Sequence, residues 1–200
     1  VLVSSRKNKN AASTLAGTTQ NFEILGITYS AEFGVDDTNE TAFTKIAAAI
    51  NGDTTSKIRA SVVKDTSSTV RLSFTSKTTG TEENITFTDS EVLNDLGITV
   101  AGLNPNTDAR QVLTATNAGY QKANKSDLDA SLTLDGIEVT RSTNTIADLI
   151  TGVTLTLQKG QSLTDNPITL TTNKDAEGVA KNVIQPLLDS FNDTLRYVNN

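Results

Sequence analysis

The sequence predicts a β-rich α+β fold built from short antiparallel strands with helical cover, and a long helix beginning near the C-terminus. Three observations carry that expectation. The 200 residues include 33 Thr, 16 Ser and 18 Asn; Thr favours strands, while Ser and Asn favour turns and caps. Apolar residues alternate with a period of two through most of the chain, as half-buried strands require. Helical spacing is confined to three short stretches and to the C-terminal segment after Asp175.

The first segment is polar. After Val1, Leu2 and Val3, residues 4–20 hold Leu15 as their one large apolar group, which predicts a frayed strand and an irregular arm. From Phe22 the pattern sharpens: Phe22, Ile24, Ile27, Tyr29, Ala31, Phe33 and Val35 alternate with smaller or polar residues, and Gly26 marks a turn or bulge between two runs. Phe43, Ile46, Ala47 and Ile50 then fall at i, i+3, i+4 and i+7 on one face of a short helix. Thr38 or Asn39 is available as its N-cap, Glu40 complements the dipole, and Asn51-Gly52 is expected to supply a left-handed stop. Alternation returns in Ile58-Ala60-Val62, Val70-Leu72-Phe74 and Ile85-Phe87, separated by turn-rich DTSS and KTTGTEEN, which predicts antiparallel strands. SEVLNDLGI predicts a second short helix, capped by Asp89 or Ser90 and ended by Gly97. Residues 101–126 read as a connection with one strand at QVLTAT.

A hairpin follows, because Asp135-Gly136 between Leu132/Leu134 and Ile137/Val139 tolerates the positive φ of a type I′ turn. Asn144 and Thr145 precede Ile146–Ile150 as the cap of a helical turn ended by Gly152. Val153, Leu155 and Leu157 predict the next strand, and Ile168 and Leu170 another after Pro167. In the last segment Val179, Val183, Leu187, Phe191, Leu195 and Val198 recur at helical intervals as a narrow stripe suited to a helix–helix seam, with Asp175 as N-cap and a kink at Pro186. The stripe is unfinished at Asn200 and no Met begins the chain, so we expect part of a longer protein, or one whose Met was removed, that continues in helix.

Chemistry is sparsely provided. Without Cys or His there is no thiol nucleophile, Ser-His dyad, zinc site or imidazole base. Asp127 and Asp129 lack the further carboxylates and Gly of a calcium loop, and adjacent Asp36-Asp37 and Glu82-Glu83 point to opposite faces of extended chain. No Gly-rich phosphate loop exists. A net charge of -6 without a dense basic run argues against nucleic acid, and no segment suits a membrane span or cleaved signal peptide. We therefore assign no catalytic residue, cofactor or metal, and expect a non-enzyme. Arg141, in the polar cluster RSTNT, is the charged residue placed for a purpose. We weigh an interface contact against a guanidinium that bonds the carbonyls of the crossing, and prefer the second.

LTLDGIEVTRSTNTIADLITGVTLTLQK, residues 132–159, resembles the flagellar filament cap protein family, also called hook-associated protein two. The family pattern is an apolar-T-apolar-D-G-apolar hairpin, then R-S-x-N-T, then G-V-T-L-x-L; the matching residues are Asp135, Gly136, Arg141, Ser142, Asn144, Thr145 and Gly152. Ser131-Leu132 stand where an acidic or aromatic residue is commoner. Ile50-Asn51, Ala60-Ser61-Val62-Val63, Thr75 to Gly80, Asp95-Leu96-Gly97 and Phe191-Asn192 extend the resemblance. It implies two antiparallel β domains, one inserted into the other: residues 1–33 plus 127–172 as a discontinuous β domain, 34–126 as the inserted α+β domain, and 173–200 as the start of a helical leg. It also implies a ring-like homo-oligomer at the extracellular tip of the flagellum, secreted without a cleaved signal peptide. There it would promote folding and insertion of flagellin, with adhesion to host mucin or glycan as a further partner. A hook–filament junction protein, a flagellin variable domain and a surface adhesin are the alternatives.

Overall fold

The computed structural model describes residues 1–98, 109–162, 164–171, 181 and 184–191. It divides into two compact units, Val1–Lys159 and Gly160–Asn200.

In the first unit the spine is β6 (Thr69–Ser76), whose Val70, Leu72 and Phe74 are fully buried. β5 (Ile58–Val63) pairs with it antiparallel along one edge, and β1 (Leu2–Val3) pairs with the same Ser73–Phe74 segment along the other. β2 (Lys7–Asn8) continues on β6 at Thr69–Val70, and β7 (Gly119–Tyr120) lies outside β1. The expected frayed strand at the start of the chain is thus a sheet interior, between β6 and β7. Leu2 is fully buried, and polar residues complete the ladder with their own hydroxyls: Leu72 N–H donates to Ser4 Oγ at 2.9 Å, and Ser5 Oγ donates to Leu96 O at 3.0 Å.

α1 (Asn39–Gly52) packs on this sheet through Ala42, Phe43, Ile46, Ala47 and Ile50, with Thr38 Oγ1 accepting from Thr41 N–H as N-cap. The expected Asn51-Gly52 stop does not occur. Gly52 remains helical, and the chain leaves through extended Asp53, whose N–H bonds Ile50 O. The reason is tertiary: the Asn51 amide is engaged with Ala60 of β5.

β3 (Thr19–Ile24) and β4 (Ile27–Glu32) form a hairpin whose Leu25 and Gly26 have φ of 52° and 77°, the type I′ geometry. α2 (Glu91–Asp95) is capped by Ser90 and followed by Gly97 at φ 70°. Two expected strands shrink to single bridges. Ile85 and Phe87 are buried, but pairing is limited to Ile24 with Phe87. In QVLTAT only Val112 bridges Tyr120, because Asn117 N–H turns back onto Thr114 Oγ1 at 2.9 Å.

Buried residues from Leu2 to Phe33, from Ala42 to Ile98, and Ala118 and Tyr120 share one apolar cluster that includes Phe22, Phe43 and Phe74. The division expected after Phe33 therefore falls inside one core. Outside that cluster lie two hairpins, β8 (Ala130–Leu134) with β9 (Ile137–Arg141), and β10 (Thr145–Ile150) with β11 (Val153–Thr156). The helical turn expected over 146–150 is strand β10, which pairs Thr145 with Thr156 and Ile146 with Leu155 and shifts register before Ile150. Its β-branched ends suit that pairing.

In the second unit Ile168 and Leu170 form no strand and are 74% and 55% exposed. Residues 181 and 184–191 are helical, with Leu187 and Phe191 of the expected seam exposed. The other seam positions, Val179, Val183, Leu195 and Val198, and the expected cap Asp175 lie outside the described residues.

Candidate functional site

The RSTNT crossing is built by the two hairpins on either side of it. Asp135 and Gly136, at φ 50° and 85°, close the β8–β9 turn and set a register in which Arg141 stands opposite Ala130. Gly152, at φ 80°, makes the corresponding turn between β10 and β11. Asn144 O accepts Leu157 N–H at 2.8 Å, and Thr143 Oγ1 donates to Thr145 O at 2.8 Å, so the crossing satisfies its own polar groups as it enters β10.

Arg141 Nη1 donates to Thr140 O of β9, the residue just before the crossing, at 2.8 Å, rather than to the carbonyls of the crossing as expected. Its main partner is a carboxylate: Nε donates to both oxygens of Asp148, at 3.2 and 3.1 Å, and Nη2 lies 3.0 Å from Oδ2. The hydrogen bond from Arg141 holds the Asp148 carboxyl below its ordinary range. With side chains 38% and 66% exposed, the pair orients β9 against β10 but adds little stability.

Ser142 is where the crossing meets the core unit. Thr79 Oγ1 donates to Ser142 O at 2.9 Å, Gly80 N–H to Leu128 O at 3.2 Å, and Thr81 N–H to Asp129 Oδ1 at 2.7 Å. Gly80 is buried at φ 104°, and a Cβ there would stand 2.7 Å from Ser142 Cβ. The TTG loop after β6 and the polar crossing thus form one close joint that requires glycine. Asp129, weighed in the sequence as a metal ligand, is a side-chain acceptor in this joint, its carboxylate taking the Thr81 N–H. Asp127 accepts from Asn124 N–H at 3.3 Å.

Two buried arginines escaped sequence reasoning. Arg71, 6% exposed, donates to the carbonyls of Ser4, Thr114, Ala115 and Asn117, and its Nε meets Asp65 at 3.1 Å. Burial pushes the Asp65 carboxyl up, but hydrogen bonds from Thr69, Arg6 and Arg71 outweigh it and hold the pKa at about 2. Arg110 lies 4.3 Å from the Tyr120 ring centroid and bonds Asn84 Oδ1 at 2.9 Å. Burial raises the Tyr120 phenol, which donates to Ile85 O. The one sequence signal for Arg71 is a charge inside the apolar run VRLSF, six residues after an Asp.

Among the described residues no group of three or more acidic, His or Cys side chains could hold a metal. A shallow depression of about 190 Å³, lined by residues including Phe22, Glu23 and Asp89, carries no catalytic arrangement. The Glu23 carboxylate there accepts from Thr88 Oγ1 at 2.7 Å.

Residues 128–200, which contain the crossing, match the family model described as flagellar hook-associated protein 2 C-terminus. Flagellar hook-associated protein 2 of Campylobacter jejuni is 42% identical over 71 residues, 36% of this chain and 10% of that protein. Its counterpart in Salmonella typhimurium is 34% identical over 99 residues, 50% of this chain and 20% of the relative. The match thus spans about a tenth and a fifth of these relatives' lengths. The crystal structure of FliD (HAP2) from Pseudomonas aeruginosa PAO1 has a TM-score of 0.60 at 19% identity, covering 99% of this chain and 89% of that one. The D1-D2-D3 domains of the flagellar cap protein FliD from Escherichia coli have a TM-score of 0.58 at 19% identity, covering 96% and 50%. These two likenesses show a shared β-rich fold. The matched C-terminal segment, which holds the RSTNT crossing, is similar to the C-terminus of flagellar hook-associated protein 2.

Proposed function

We propose that the complete protein is a structural cap at the extracellular tip of the flagellar filament, a homo-oligomer that promotes folding and insertion of exported flagellin. The observation that supports this is the match of residues 128–200 to the family model of the flagellar hook-associated protein 2 C-terminus. Residues 173–200 would enter the helical leg, and the chain would reach the tip by export without a cleaved signal peptide. No helix among the described residues is long and apolar enough to cross a membrane. No feature of the described surface favours a glycan or mucin partner, and none is proposed.

Complementation of a cell lacking its cap protein tests the proposal. The full-length protein should restore filaments and stop loss of unassembled flagellin to the medium, while residues 1–200 alone should not. Full-length protein that is exported yet leaves filament length and flagellin loss unchanged would overturn the assignment.

A further inference from the structure

β5 is an edge strand whose edge is already occupied. Lys77 N–H donates to Lys57 O at 2.9 Å, which fixes the parity of the β5–β6 ladder. Hydrogen-bonded pairs recur at every second residue of an antiparallel ladder, so Arg59, Ser61 and Val63 face β6 with their backbone groups. Those of Ile58, Ala60 and Val62 face outward. Such a row is a template for another strand.

Side chains cover two of the three positions. Asn51, in the last turn of α1, donates from Nδ2 to Ala60 O at 2.7 Å and accepts Ala60 N–H on Oδ1 at 3.0 Å. That is the reciprocal pair of bonds a neighbouring strand would make. Ser56 does the same for Ile58, donating to Ile58 O at 2.9 Å and accepting Ile58 N–H at 3.4 Å. Ser56 is buried and also accepts the Tyr29 hydroxyl at 3.0 Å, so its position is held from behind. Among the described residues nothing bonds the outward groups of Val62. The edge is closed at its start and centre and open at its end.

We infer that Asn51 is a strand mimic that blocks edge-to-edge pairing of β5 with β5 of a second copy of this chain. The second copy is the fitting occupant because the edge is self-complementary. In a two-fold antiparallel pair centred on Ser61, Ala60 faces Val62 and Arg59 faces Val63, so the covered Ile58 is not needed and no like charges stand directly opposite. The same role explains why α1 runs through Asn51 and Gly52.

Amide exchange in the unaltered chain tests the bond: Ala60 N–H should exchange at least about tenfold more slowly than Val62 N–H, both facing outward on one strand. Equal rates would overturn the inference. Asn51→Ala should then erase that difference and tighten self-association, read by sedimentation velocity, at least about tenfold. Adding Val62→Pro removes an outward N–H while leaving every bond to β6 and should return sedimentation to that of the parent. A folded Asn51→Ala chain that sediments like the parent at every concentration would overturn the inference. So would association that persists undiminished with Val62→Pro.

Discussion

Replacing Gly80 by Ala isolates the joint between the TTG loop and the polar crossing. Gly80 has φ 104° and ψ 163°, a region open essentially to glycine alone, and holding a side chain there costs about 1–3 kcal/mol. The new Cβ would also stand 2.7 Å from Ser142 Cβ and 2.8 Å from Ser142 O, and a backbone atom cannot rotate aside. Overpacking of that kind costs about 1–3 kcal/mol. One movement relieves both strains, the loop lifting off the crossing, so the loss is capped by what seats the loop. The bonds from Thr79, Gly80 and Thr81 contribute about 1 kcal/mol each, which sets the loss near 3 kcal/mol. Hydrogen exchange resolves where it falls. The amides of residues 80 and 81 should exchange about a hundredfold faster, while Leu72 and Phe74 in β6 keep their protection. Parent-like protection at residues 80 and 81, with an unchanged urea midpoint, would refute the joint.

Three further outcomes follow from the buried polar groups and from one glycine. The Asp65 carboxyl titrates near 2 in the folded chain and near 3.8 when unfolded, so its contribution is present above pH 4 and lost as pH falls through 2. With 16% exposure this amounts to about 1–2 kcal/mol. The parent should lose that much more stability than Asp65→Asn between pH 5 and pH 2, and parallel urea-midpoint curves would contradict it. Arg71→Lys keeps the charge but loses the planar fork that serves four carbonyls, and thermal unfolding should report a loss of about 3 kcal/mol. A Lys variant within about 1 kcal/mol of the parent would contradict that role. Gly119→Ala places a Cβ 2.3 Å from the Val112 carbonyl carbon, so the segment around Val112 should part from β7, seen as loss of protection at the Tyr120 amide, which donates to Gln111 O. Retained protection there would contradict the packing.

Local patterns were legible where one rule was unopposed. Asp135-Gly136 marked its turn, Phe43 to Ile50 their helix, and Ser90 and Gly97 the limits of α2. The misreadings share a physical cause, which is partners distant in sequence. IADLI carries both helical and alternating spacing, and only pairing with β11 decides between them. Once 145–150 is a strand, Asp148 comes beside Arg141, a contact invisible if that stretch were a helical turn. The first eight residues look too polar for a sheet interior until Ser4 is seen supplying its hydroxyl to Leu72. Asn51-Gly52 has a strong local preference for ending a helix, and the Ala60 backbone overrides it. Of the crossing, the residues were legible and the docking partner was not, because Gly80 and Ser142 lie 62 positions apart.

The central claim is that the polar crossing docks on the TTG loop, with Gly80 pressed on Ser142. A carbon-edited nuclear Overhauser spectrum of the 200-residue chain tests it directly. The Gly80 α-proton that occupies the Cβ direction should give a strong cross-peak to the Ser142 β-protons. A folded chain with both residues assigned and no such cross-peak would contradict the joint and the reading of RSTNT built on it.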